Sequence, residues 1–296
     1  MHSTLTTIGL PIALAVIMLG LGLSLTPDDF SRALRSRKAV LVALVCQIVV
    51  LPAVAFALVV LFDLEPFLAV GFMLLAASPG GTTANLFSHL FRGDVALNVT
   101  LTAINSVLAI VTLPVITNLA LGHFLDGEGE VGLQLGKMLS VFAVVLVPVA
   151  IGMLVRRRNR DFADRMDQPV RIASAAILVL VIVGAILGAR DDVGGYIADV
   201  GLVSVLFCAI SLSTGFFVPR ALGVSHRQAV ATSFEIGVHN STLAITVALT
   251  ALDQEDMAVP AAVYGVLMFF VAAGFGRLIT RGRPSTSWSE AARAAH

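Results

Sequence analysis

Charge is what this chain has least of. Its 296 residues include 19 Lys and Arg against 19 Asp and Glu, 13% in all, where a soluble domain carries about a quarter. The formal net charge is zero, so there is no electrostatic footprint for nucleic acid and none for an acidic partner. Cysteine is nearly absent. Cys46 and Cys208 both fall inside apolar runs, where they read as small hydrophobes rather than as a disulfide or metal pair, and they say nothing of the redox compartment. Also missing is any polar stretch long enough to fold as a separate soluble domain. What remains is apolar: 57% of residues are hydrophobic and mean hydropathy is +0.94, the signature of a polytopic membrane protein.

Nine apolar runs of spanning length are expected, at 5–25, 38–62, 66–90, 95–121, 131–155, 169–189, 197–219, 228–251 and 257–280. The first lacks the basic flank and small-residue cleavage site of a signal peptide and is read as a mature span. The loops alternate in charge. Arg32, Arg35, Arg37 and Lys38, then Arg92, then Arg156, Arg157, Arg158, Arg160 and Arg165, then Arg220 and Arg227, then the tail Arg281, Arg283 and Arg293, mark one side. Asp63 and Glu65, Asp126, Glu128 and Glu130, Asp191 and Asp192, and Asp253, Glu255 and Asp256 mark the other. Because cytoplasmic loops collect Lys and Arg, this order places the N-terminus outside and the C-terminus in the cytoplasm.

The runs also repeat in order. Spans 1–4 and 6–9 each carry an interrupted span in third place and a proline-containing span after it, and an offset of five turns matching spans in opposite directions. The expected division is a first repeat over 1–121, a second over 122–281 with span 5 unmatched, and a cytoplasmic tail over 282–296.

The interruptions carry the chemistry. The first is Ser78-Pro79-Gly80-Gly81-Thr82-Thr83-Ala84-Asn85. Pro79 removes a backbone donor, Gly80 and Gly81 tolerate non-helical backbone, and Thr82, Thr83 and Asn85 offer oxygens and an N-cap for a restarted half-helix. Glycines that merely let helices pack closely are the simpler reading, but Pro-Gly-Gly with three polar residues is more disruption than packing needs. The second is Phe234-Glu235-Ile236-Gly237-Val238-His239-Asn240-Ser241, with Gly237 expected to permit the break. Glu235 is the one carboxylate set deep in an apolar span. A charge there costs at least ~2.5–3.5 kcal/mol and persists only with a partner, a cavity or an ion.

Neighbouring spans add Gln47, and Asn98, Thr102 and Asn105 at helical spacing on one face. Singly such residues are more often interhelical glue than ligands. With Glu235 they match a hard-cation set of oxygen ligands, one carboxylate and no thiolate, which suits sodium better than a transition metal. Two other classes fit less well. Glu235, His239 and Ser241, two and four apart on a broken helix, do not line up as an intramembrane hydrolase, and no Gly-x-Ser-x-Gly elbow is present. No filter loop or ring-forming motif suggests a channel. The chain is therefore read as a transporter and not an enzyme.

The stretches Leu19-Gly20-Leu21-Gly22-Leu23-Ser24-Leu25, Pro79-Gly80-Gly81-Thr82-x-x-Asn85, Arg92-Gly93-Asp94-Val95-Ala96-Leu97 and Glu235-Ile236-Gly237-x-x-Asn240-Ser241 resemble, in order and spacing, the bile acid:sodium symporter family. The resemblance implies an all-α fold of two inverted repeats, whose two broken helices cross near the midplane. Its core would be spans 38–121 and 197–280, and its panel spans 5–25 and 131–189, with the first of the family's ten helices missing.

It further implies two sodium sites and no other cofactor. The first would be Asn85, Asn98, Thr102 and Glu235, with Ala84 where the family commonly has a serine hydroxyl. The second would be Gln47, Glu235, the backbone carbonyls of Ile236 and Val238, and His239 where a glutamine is usual. Thr82, Thr83, Asn240 and Ser241, at the half-helix N-termini, would face an organic-anion substrate. The implied function is sodium symport of a small or amphipathic organic anion across the cytoplasmic membrane. A proton-coupled or uncoupled transporter of the same fold is the alternative.

Overall fold

The computed structural model describes residues 15–16, 19–20, 22–23, 36–125, 147–148, 150–166, 169, 172–173 and 193–280. The expected spans 5–25, 131–155 and 169–189 lie largely outside the described residues, and the tail 282–296 lies wholly outside them.

The described chain is helical throughout. In order come α1 (Arg37–Leu61), α2 (Pro66–Ala77), α3 (Thr82–Leu90), α4 (Val95–Phe124), α5 (Val193–Ala221), α6 (His226–Gly237), α7 (Ser241–Val247, widening into a π turn over Ala248–Leu252) and α8 (Val259–Thr280, entered by a 3-10 turn). Among the described residues three helices, Arg37–Leu61, Val200–Ala221 and Asp256–Thr280, are long and apolar enough to cross a membrane. Helix α4 makes a fourth if its arms, Val95–Ala109 and Val111–Phe124, count as one span although they meet at 54°. The cause of that bend is Pro114, whose ring meets the carbonyl four residues back, at the elbow.

Proline shapes α1 as well. Pro52 cannot donate to the turn before it, and the helix widens over Cys46–Val50 into a π turn that carries Gln47. By contrast α2, at 12 residues, and α3, at 9, are only about 18 and 14 Å long and cannot cross a ~30 Å hydrocarbon layer singly. They are two halves of one interrupted span, as α6 and α7 are of another.

Burial runs opposite to that of a soluble protein. Val107, Val111, Val115 and Leu119 repeat every four residues along α4 and are 51–69% exposed, whereas Asn98, Thr102, Asn105, Gln47, Glu235 and His239 are buried. An apolar exterior around a polar centre suits lipid, where an exposed aliphatic stripe costs nothing. The core that surrounds the polar centre is built by Phe72, Leu74, Leu75, Phe207, Leu212, Phe234 and Tyr264, contributed by α2, α5, α6 and α8.

Candidate functional site

The two interruptions meet. Ser78, preceding a proline, is forced out of the helical region to φ −71°, ψ 142°, and its hydroxyl closes α2 on the Leu75 carbonyl at 2.6 Å. The chain then runs extended to Gly81 and pairs, as an isolated antiparallel bridge between Gly80 and His239, with the extended stretch between α6 and α7. The Gly81 N–H donates to the Val238 carbonyl and the Asn240 N–H to the Pro79 carbonyl, both at 2.8 Å. Each break thus satisfies the backbone groups that the other exposes, the condition for irregular backbone at membrane depth.

Glycine has a different task here from the one expected. Among the described residues only Gly223 is a glycine at positive φ, so neither break needs glycine's conformational freedom. Gly237 stays helical, and a methyl on it would stand 2.6 Å from the Leu212 side chain. Gly80 is pressed equally closely on Glu235. The glycines permit close approach; the extended backbone is of a kind that any residue adopts. The expected caps are also corrected. Helix α3 is capped by Gly81 with no side-chain bond, and not by Thr82, Thr83 or Asn85. Asn240 does cap α7, its side-chain oxygen accepting from the Leu243 N–H at 3.1 Å.

Glu235 is completely buried, and its hydrogen-bond partners are all uncharged. Thr102 Oγ1 lies 2.5 Å from Oε2, Asn105 Nδ2 donates to Oε1 at 3.0 Å, and Gly80 packs against the carboxyl group from the other break. Asn98 reaches not the carboxylate but the Ala231 carbonyl, to which its Nδ2 donates at 2.7 Å. Asn85 is half-buried, and its Oδ1 has no partner among the described residues.

A second cluster forms on the Ser78 carbonyl. Gln47 Nε2 donates to it at 3.1 Å, and His239 Nδ1 lies at 3.1 Å. A carbonyl only accepts, so Nδ1 carries the hydrogen, and Nε2, which has no partner among the described residues, is the ring's acceptor when neutral. The ring is stacked on Phe207, with centroids 5.4 Å apart at 17°, and meets Tyr264 edge-on. The Val238 carbonyl already accepts from Gly81, while the Gly237 carbonyl accepts from Tyr264 Oη at 2.9 Å.

Four buried amide oxygens, of Gln47, Asn85, Asn98 and Asn105, lack a donor among the described residues. The side chains of Glu235, His239 and Ser241 share no hydrogen bond: His239 faces Ser78, Ser241 Oγ has no partner among the described residues, and Glu235 is held by α4. The sequence puts Asn105 on the correct helical face and in the hard-cation set, though in neither of the two sodium sites that the resemblance implies. Tyr264 and Cys208, whose Sγ lies 3.6 Å from the Gly237 carbonyl, were missed because buried apolar spans give them no local signal.

Comparison with known proteins agrees with this architecture. Over 272 residues the chain is 30% identical to the probable chloroplast sodium/metabolite cotransporter BASS1 of Arabidopsis thaliana, covering 90% of this chain and 66% of that protein. The uncharacterized sodium-dependent transporter YocS of Bacillus subtilis is 29% identical, with 86% and 78% covered, and the human ileal sodium/bile acid cotransporter is 25% identical, with 84% and 71% covered. The chain thus spans about two thirds to four fifths of the length of these relatives. A model of the sodium bile acid symporter family matches residues 11–194, well over half of the chain, and to that family this membrane protein belongs.

Proposed function

We propose that the chain is a sodium-coupled secondary transporter importing a small or amphipathic organic anion across the cytoplasmic membrane. One observation carries this reading. Glu235, in a broken helix at the crossing, is fully buried on neutral donors, and the amide oxygens of the adjoining Asn105 and of Asn98, Asn85 and Gln47 have no donor among the described residues. Oxygens of this kind, with one carboxylate and no sulfur, fit a hard monovalent cation.

In this reading Asn85, Asn98, Thr102 and Glu235 hold one sodium, and Gln47, Glu235, the Ile236 and Val238 carbonyls and His239 hold the other. The anion meets Thr82, Thr83, Asn240 and Ser241 at the half-helix N-termini, and Asn240 does so through groups other than the oxygen that caps α7. Nine spans form two inverted repeats, 1–121 and 122–281, with the N-terminus outside. The core, 38–121 and 197–280, moves against the panel, 5–25 and 131–189, to alternate access. The names of the relatives, one a sodium/metabolite and another a sodium/bile acid cotransporter, support sodium and an organic substrate.

Purified protein in liposomes tests it with a panel of labelled bile acids, keto acids, pantoate and sulfonates. Accumulation of one of them under an inward sodium gradient, absent when potassium replaces sodium, is the expected result. Accumulation that ignores sodium ends the proposal.

A second reading, proton coupling, has one observation in its favour. The single hydroxyl hydrogen of Thr102 faces two acceptors, the Asn98 carbonyl at 3.0 Å and Glu235 Oε2 at 2.5 Å. A proton on Glu235 would serve the second and free the hydroxyl for the first. Uptake driven by a pH gradient alone selects this reading.

A further inference from the structure

We infer that Asn105 is the positioning residue that orients Glu235 and so sets the cation affinity of the crossing; this rests on the reading of Glu235 as the cation-binding carboxylate. Asn98, Thr102 and Asn105 stand at i, i+4 and i+7 of α4, and their side chains all reach α6. The contacts fall on the Ala231 carbonyl, on Glu235 Oε2 and on Glu235 Oε1 respectively. Ala231 and Glu235 are themselves four apart, so the two helices are laddered in register. The polar face of α4 therefore extends one turn beyond Thr102.

Of the side chains on the carboxylate, Asn105 is the uncontested donor. Thr102 has one hydrogen for two acceptors, whereas Nδ2 of Asn105 is directed at Oε1. An ionised carboxylate cannot donate, so the amide must turn its nitrogen to Glu235 and its oxygen away. That oxygen is buried and without a partner among the described residues, as is the Asn98 oxygen one face-repeat earlier, whose amide nitrogen is likewise spent on α6. Both asparagines therefore use nitrogen to hold the helix that carries Glu235 and keep oxygen uncommitted.

The terminal torsion of a glutamate is broad and two-fold, so without a fixed donor on Oε1 the carboxylate plane can swing. With Gly80 packed against the carboxyl group from the opposite break and Thr102 bonded from α4, Asn105 completes a three-sided hold on one carboxylate. Loss of that hold costs cation binding before it costs the fold.

The test uses the full chain in detergent and sodium alone as the probe. Melting temperature is followed as NaCl replaces KCl at constant ionic strength, for the native protein, Asn105→Leu, which keeps the volume without the donor, and Asn105→Ser, which keeps a shorter polar group. The expected result is a rise of about tenfold in half-saturating sodium for Asn105→Leu, the factor carried by one hydrogen bond to a charged group, with a smaller rise for Asn105→Ser. The melting temperature in KCl changes little. A variant that melts lower in KCl yet keeps the native half-saturation shows Asn105 to be structural only and overturns the inference while leaving Glu235 as a cation ligand. A native protein that does not respond to sodium overturns both. If Asn105→Leu does not fold, Asn105→Ser alone decides, by the same shift in half-saturation.

Discussion

Gly80 and Glu235 touch so closely that a methyl group on Gly80 would stand 2.6 Å from the carboxyl carbon and 2.5 Å from the Glu235 backbone oxygen. The two residues lie on different broken spans, so this contact fixes how the spans cross. Gly80→Ala is therefore expected to lower stability by about 1–3 kcal/mol, the usual cost of overpacking, and to weaken any sodium response. Gly274→Ala, where nothing lies within 4 Å, is the control and leaves the melting temperature close to native.

Glu235→Gln keeps size while removing the charge; its one amide oxygen can accept from either Thr102 or Asn105, and its NH2 turns to the other. The variant is expected to insert and fold but to lose sodium-dependent uptake in proteoliposomes. Retained sodium dependence would remove Glu235 from its assigned role.

Tyr264 is fully buried with its hydroxyl on the Gly237 carbonyl. Tyr264→Phe deletes that bond and keeps the ring against Phe207 and His239. Thermal unfolding is expected to show a loss of about 0.5–1.5 kcal/mol, with half-saturating sodium unchanged. A change in sodium affinity instead would make the Gly237 carbonyl part of the cation path.

The alternation of loop charge predicts an outside N-terminus and a cytoplasmic C-terminus. Single cysteines introduced at the two ends, labelled by an impermeant thiol reagent in intact cells, should react at the N-terminus only. Protection of an N-terminal cysteine means that a span has been miscounted, and the inverted offset goes with it.

His239 donates from Nδ1 to the Ser78 carbonyl, a role that the amide of a glutamine can fill. The sodium response of native protein and of His239→Gln is expected to follow one pH profile between about pH 5.5 and 8, where an unperturbed histidine titrates. Sodium affinity lost at the acid end by the native protein alone would assign the imidazole a proton-gated role, since a charged ring repels the ion.

Much of the fold was legible because lipid imposes simple rules. A span needs a long apolar run, and proline in such a run must break, bend or widen the helix. The described helices accordingly begin and end within a few residues of the expected runs 38–62, 66–90, 95–121, 197–219, 228–251 and 257–280. Glu235 stood out because an acid so deep in an apolar span needs a reason. The task of the glycines was misjudged, since a sequence shows that glycine is present but not whether it is used for its dihedral freedom or for its missing side chain.

The sequence by itself determined the class of protein, the positions of both interruptions, and the shared face of Asn98, Thr102 and Asn105, all of which follow from local rules of hydropathy, proline geometry and helical period. Only the tertiary structure decided that the two breaks pair through Gly80 and His239, that Thr102 and Asn105 rather than Asn98 reach Glu235, and that Gln47 and His239 share the Ser78 carbonyl. These are contacts between residues up to 161 positions apart, and which side chain reaches which partner depends on the crossing of rigid helices in space, a quantity that no local pattern encodes.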